Sequence, residues 1–236
     1  MIDTVLFDLD GTLLPMDQEG FVKTYLGLLA QYMEEYGFEP KHLMQIMGEG
    51  IRAMVTNDGS RTNEEAFWQV FRSAYGDRVE AAREILEQFY ASEFIKARVT
   101  CGFAPEAAEL IRCLKEKGIR VVLATNPLFP RTATMQRIRW AGLNHEDFEL
   151  VTTYEQERFC KPNPAYYRSI LKRLQLDPKR CVMVGNDAVE DVAAEKAGIE
   201  VFVLTGCLLN EDALAGKNHP QGGFDALNEY LNTKMQ

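Results

Sequence analysis

Residues 4–14 read TVLFDLDGTLL, and the fold turns on how this run is broken. Residues 4–8 form an almost continuous apolar stretch that runs straight into carboxylates at Asp8 and Asp10, with Gly11 and Thr12 immediately behind. A short run of this kind suits a strand buried on both faces, as in a parallel sheet covered by helices. Asp8 and Asp10 are one residue apart, so an ideal strand would point both side chains to the same face. Gly11 gives the backbone freedom to turn as the strand ends, and Thr12 adds a hydroxyl. Such a turn can gather a carboxylate, main-chain polar groups and a hard cation around one phosphoryl group. Paired acidic residues at a strand end are also commonly just solvated, so this stretch needs support from the rest of the chain.

That support comes from the second half. Apolar runs recur at residues 119–125, 181–185 and 199–204, and helical patterns fall between them at 106–117, 131–141, 165–174 and 189–197. Strand and helix therefore alternate as in a parallel α/β sheet, with Gly118, Gly142 and Gly198 closing helices. The run at 119–124 leads into Thr125 and Asn126, and the run at 182–184 leads into Gly185, Asn186 and Asp187. Hydrogen-bonding groups and another carboxylate are thus expected at corresponding strand ends, where open α/β sheets bind ligands. Lys161, between Cys160 and Pro162, occupies a loop from which its ammonium group can neutralise phosphate or orient a nucleophile; an isolated lysine is more often solvent-facing.

The first half breaks the rhythm. Helices are predicted at 19–36, 40–55, 63–75 and 79–94, with Phe21, Tyr25, Leu28, Leu29 and Tyr32 marking one inward stripe. The first strand has no parallel neighbour until about residue 119, so this block is expected as a helical cap, 15–98, inserted above a core made of 1–14 and 99–236. The plainer alternative is that these helices cover one sheet face. Several aromatic and basic residues of the block, among them Tyr25, Arg52, Trp68 and Tyr90, are candidates for substrate contact, although helical spacing of aromatics more often means packing.

Bulk properties narrow the partners. The chain has 236 residues, 46% of them hydrophobic, enough for a sizeable core. A net charge of −9, from 35 acidic and 26 basic residues, disfavours a nonspecific grip on nucleic acid or anionic membrane and favours a small diffusing partner. Its five cysteines contain no CxxC pair and read as reduced thiols, and its three histidines have no zinc-ligand spacing. No basic leader or long apolar stretch is evident, so cytoplasmic residence is the expectation. Nothing in the sequence fixes the oligomeric state.

Taken together, DLDGT at Asp8 to Thr12, TN at Thr125 and Asn126, KP at Lys161 and Pro162, and GNDAVED at Gly185 to Asp191 resemble the haloacid dehalogenase-like hydrolase superfamily over nearly the whole chain. The resemblance implies a Rossmann-like parallel-sheet core with helices on both faces, an inserted helical cap, and a Mg²⁺-dependent phosphatase. It implies Asp8 as nucleophile and metal ligand, and Asp10 as acid/base with its backbone carbonyl on the metal. Thr125 then binds phosphate beside Asn126, Lys161 stabilises Asp8 and the transferring group, Asp187 is the direct metal carboxylate, and Asp191 supports the metal or Lys161. Many relatives have Gly directly before the first aspartate, whereas Asn186 stands there in this chain, which leaves the duties of Asp187 and Asp191 open. The expected reaction is hydrolysis of a small phosphorylated metabolite through an aspartyl-phosphate; a sugar phosphomutase with the same intermediate and a phosphoacceptor signalling module are the alternatives.

Overall fold

The computed structural model describes residues 1–235. Strand β1, Thr4–Phe7, is buried throughout and lies at the middle of the sheet. The chain then leaves for four helices, α1 (Gln18–Glu34), α2 (Pro40–Val55), α3 (Asn63–Tyr75) and α4 (Val79–Ser92), and returns through a 3₁₀ segment, Phe94–Thr100. After α5 (Pro105–Glu116) come β2 (Arg120–Leu123), α6 (Arg131–Trp140), β3 (Leu150–Val151), α7 (Pro164–Leu174), β4 (Cys181–Gly185), β5 (Glu200–Leu204), β6 (Gln221–Gly222) and α8 (Phe224–Met235).

All six strands are parallel, in the order β3-β2-β1-β4-β5-β6. Phe7 pairs with Leu123 on one side and Val184 on the other, so β1, β2 and β4 end level with one another. The order reverses beside β1, where open parallel sheets form a crevice at their carboxyl edge. Alternate residues face two separate apolar layers. Val5, Phe7, Val121, Leu123, Val182 and Val184 pack with α5, α6 and α8, while Leu6, Val122, Met183, Val201 and Val203 pack with Tyr166, Tyr167 and Ile170 of α7. Helices thus cover both faces, as the near-continuous hydrophobicity of the strands requires.

Local chemistry sets the helix starts. Asp17 caps α1 by accepting from Gly20 N at 3.0 Å, Pro40 opens α2, and Thr62 with Glu65 forms a capping box on α3. The α3 end is also tied to the core: Asn63 N donates to Glu157 O at 2.8 Å, Glu64 N to Tyr154 O at 2.9 Å, and Asn63 Nδ2 to Pro127 O at 3.3 Å. At the neck of the insert, Met16 and Cys101 bridge antiparallel, and Gly102 N donates to Pro15 O at 2.7 Å. Outgoing and returning chains are therefore held side by side.

One sequence expectation changes. The helix read at 189–197 is only a 3₁₀ segment, Val192–Ala197. Side-chain acceptors displace helical bonding there, because Asp187 Oδ1 takes the N–H groups of Val189 and Glu190, at 2.7 and 2.9 Å. The two-residue strands β3 and β6 and the terminal helix α8 were also not anticipated. Among the described residues no helix is long and apolar enough to cross a membrane.

Candidate active site

Asp8 follows β1 while its backbone is still held by the sheet, Asp8 N donating to Val184 O at 2.9 Å. The chain then curls: Leu9 O accepts from Thr12 N and Leu14 N, and Gly11 N donates to Leu14 O. None of these bonds uses the Asp10 carbonyl. Gly11 has φ +82°, and a Cβ there would come within 2.3 Å of Asn186 Nδ2, so both the turn and the neighbour exclude a side chain. This tight loop brings β4's end against β1's end.

Beneath Asp8 lies Lys161, 1% exposed, with Nζ 2.8 Å from Asp8 Oδ1 and 2.6 Å from Asp191 Oδ1. Asp191 Oδ2 in turn accepts from Asp187 N at 2.9 Å. Burial would drive the Lys161 pKa down, but Asp191 and Asp8 outweigh it and raise the ammonium well above its ordinary value. Burial also raises Asp8, with Lys161 opposing, and pushes Asp191 up to about 6. One cation shared by two buried carboxylates leaves the cluster short of positive charge.

Asp10 is paired differently. Its Oδ2 meets Arg137 Nη1 in an ion pair, and Arg137, fully buried, lays its guanidinium 4.2 Å from the Phe129 ring centre. Asp10 Oδ1 is shielded from solvent and has no hydrogen-bond partner among the described residues. Burial raises the Asp10 pKa and Arg137 opposes it. A carboxyl oxygen left unpaired in such a place is available for exchange with a ligand.

Thr125 and Asn126 stand at the end of β2. The Thr125 carbonyl accepts from Thr152 Oγ1 at 2.7 Å and from Tyr166 OH at 2.9 Å, which fixes the residue while its surface faces the cleft. Asn126 links two segments: its Oδ1 accepts from Lys161 N at 3.2 Å, and its Nδ2 donates to Glu190 Oε2 at 2.9 Å. Burial pushes Glu190 up to about 7. Asn186 Oδ1 accepts from Thr12 Oγ1 at 2.9 Å, and Thr12 Oγ1 reaches Asp8 Oδ2 only at 3.5 Å. Asp187 is occupied by its own loop, since besides the N–H groups of Val189 and Glu190 its two oxygens take Asn210 Nδ2 at 2.9 Å.

The predicted residues Asp8, Asp10, Thr125, Asn126, Asp187 and Asp191 line one cleft of about 150 Å³, and Lys161 lies behind its wall. The structure adds Asn186, Glu190 and Arg137. Asn186 was visible as the first residue beyond an apolar strand. Arg137 was not, because nothing in RTATMQRIRW separates it from exposed Arg131 and Arg139. The model for the family described as haloacid dehalogenase-like hydrolase matches residues 2–198.

The chain belongs to that family. Among its relatives, protein CbbY of Cereibacter sphaeroides is 26% identical over 96% of this chain and 94% of its own length. The phosphorylated carbohydrates phosphatase of Thermotoga maritima is 27% identical over 84% of this chain and 83% of its own. A crystal structure of 2-haloacid dehalogenase from Pseudomonas syringae superposes with a TM-score of 0.66 at 23% identity, covering 99% of both chains, and so shares the fold. Two of the chain's relatives, the Thermotoga protein and one from Halopiger xanaduensis, are named as phosphatases.

Proposed function

We propose that this haloacid dehalogenase-like enzyme hydrolyses a small phosphorylated metabolite through an aspartyl-phosphate on Asp8, with Mg²⁺ bound in the cleft. The observation that carries this reading is the pairing of a buried Asp8–Lys161–Asp191 cluster with an unpartnered Asp10 oxygen on the same cleft. Asp8 attacks phosphorus as the bond to the leaving oxygen breaks, and Asp10 gives that oxygen a proton. Asp10 next takes a proton from water as the water oxygen attacks phosphorus, releasing inorganic phosphate and regenerating Asp8. Thr125 and Lys161 hold the equatorial oxygens, Asp191 positions Lys161, and Asn126 fixes the Lys161 loop. The four-helix insert acts as a cap that limits access to small esters.

The donor set suits Mg²⁺. Among the described residues no group of three or more His, Cys, Asp or Glu side chains is arranged to hold a metal. Mg²⁺ needs no such cage, being held by one or two carboxylates with waters and phosphate completing its shell. Asp8, the Asp10 carbonyl and the Asn186 amide oxygen would hold the ion, while Asp187, engaged by Val189, Glu190 and Asn210, would add negative charge beside them. On this proposal Asn186, rather than the Asp187 implied by the family resemblance, would make the direct contact. The ion supplies positive charge that offsets repulsion between Asp8 and phosphate.

Phosphate release should therefore vanish with chelator and return with added Mg²⁺. Full turnover by rigorously metal-free protein would refute the requirement. Sugar phosphates assayed in parallel for isomer and for phosphate separate hydrolase from mutase, since isomer without phosphate identifies the mutase. The Asn186→Asp variant should bind Mg²⁺ about tenfold more tightly by calorimetry, a change of about 1.4 kcal/mol, because a carboxylate replaces a neutral oxygen. Unchanged affinity in that variant, with a large loss in Asp187→Ala, would return the inner contact to Asp187.

A further inference from the structure

Beside the polar cleft is a second, larger cavity of about 240 Å³, and the two share Gln18, Leu128 and Phe129 as a common wall. Helices α1 to α4 build it, through Phe21, Leu26, Met47, Ile51 and Leu86, together with the loop after β2. No charged side chain lines it. Its polar atoms are few: Tyr25 OH and Tyr90 OH share one hydrogen bond at 2.7 Å, Tyr154 OH accepts from Trp68 Nε1 at 3.3 Å, and Gln18 stands at the shared wall. Arg137, which lies against Phe129 of the shared wall, is paired with Asp10.

A group entering this chamber finds neither a counter-ion nor a free ring of hydrogen-bond donors. A second phosphate or a carboxylate would be desolvated without a partner, and a sugar would leave most of its hydroxyls unpaired. A hydrocarbon group loses nothing and removes apolar wall from water. We propose that the substrate is a phosphate monoester of an aliphatic or aromatic alcohol, with its phosphoryl group at Asp8 and its apolar part in this chamber. The inference rests on the phosphohydrolase reading for its chemistry and on the chamber for its selectivity. The reaction joins one water to the ester and yields the apolar alcohol and inorganic phosphate, with no other reactant.

Selectivity can be read with or without turnover. Calorimetric binding to full-length Asp8→Asn protein with Mg²⁺ should favour hexyl and 2-phenylethyl phosphate over glucose 6-phosphate and phosphoglycolate by at least about 30-fold. Affinity should climb about fourfold for each methylene added from ethyl to hexyl phosphate. In wild type, kcat/KM should follow the same order, and acetyl phosphate, which has almost no organic part, serves as the separate test of phosphatase chemistry. Ile51→Asp, and Val22→Asp at the more exposed mouth should Ile51→Asp not fold, should each cut hexyl phosphate affinity at least about tenfold and phosphoglycolate affinity little. Equal or tighter binding of the sugar or carboxylated ester, or no dependence on chain length, overturns the inference even if acetyl phosphate is hydrolysed. The expected binding order with no phosphate released from either acetyl or hexyl phosphate sustains the chamber's preference for apolar esters as ligands and removes the phosphatase reading alone.

Discussion

Replacing Asp8 by Asn is expected to lower phosphate release by about 10⁴-fold or more while leaving the protein folded, on the scale of losses seen when a nucleophile is removed. The amide keeps the volume of the carboxylate and removes its nucleophilic oxygen. The fold should survive because Lys161 keeps its shorter contact, 2.6 Å to Asp191, and so is not left as a lone buried charge. Asp8 itself is held at a raised pKa by burial, so its ionised form is disfavoured in the native state, and losing it need not cost stability. A urea midpoint within about 1 kcal/mol of wild type is expected. Multiple-turnover hydrolysis near the wild-type rate, in a preparation whose sequence is verified by mass, would remove Asp8 from the nucleophile position.

Asp8 was legible as a candidate because an apolar run ends in it and other strand ends carry polar groups at corresponding positions, although a carboxylate there is by itself often only solvated. Thr125, Asn126 and Asp187 were legible for the same reason, since strand ends β2 and β4 must come level with β1 once the sheet is parallel. The partners of Lys161 were harder. Asp8 lies 153 residues away and Asp191 lies 30 away, and no local periodicity encodes either contact. Family resemblance named the lysine, whereas the geometry shows it wedged between the two carboxylates.

Other features escaped because their signal is tertiary or because two local signals compete. The pattern at 189–197 has helical spacing, yet the Asp187 and Asp191 carboxylates capture backbone N–H groups at its start, and only the later part winds into a 3₁₀ segment. Strands β3 and β6 have two residues each, too few for alternation to register. Asn186 was seen as a departure from the usual pattern that left the duties of Asp187 and Asp191 open, and its contact with Thr12 beside Asp8 spans 174 residues, which no local pattern encodes.

Replacing Lys161 by Met should destabilise the protein by roughly 3–5 kcal/mol near pH 8, the range found when one partner of a buried charge cluster is removed. Met fills much of the lysine's volume, so the loss reports on charge more than on a cavity. It leaves Asp8 and Asp191 facing each other's charge without the cation that now lies 2.8 and 2.6 Å from them. The sign of the pH dependence follows. Asp191 already sits at about 6 with Lys161 present, above an ordinary aspartate, and removing the lysine raises both carboxyl groups further. A carboxyl whose folded pKa exceeds its unfolded value holds its proton more tightly when folded, so stability falls as pH rises from about 4 through the folded pKa. Lys161 has the same sign of linkage at higher pH: with its pKa raised in the fold it is protonated in both states below about 10.5, so across this window the pH dependence of the deficit comes from the two carboxyl groups. The deficit of Lys161→Met should accordingly be small near pH 4.5, grow through pH 6 and level off only above the new carboxyl pKa values. Urea titrations of both proteins at pH 4.5, 6 and 8, with chelator present so that no added cation screens the pair, measure it directly. A deficit that stays the same at all three pH values would mean that Lys161 holds the site by packing, and the shared-cation account of Asp8 would have to be given up.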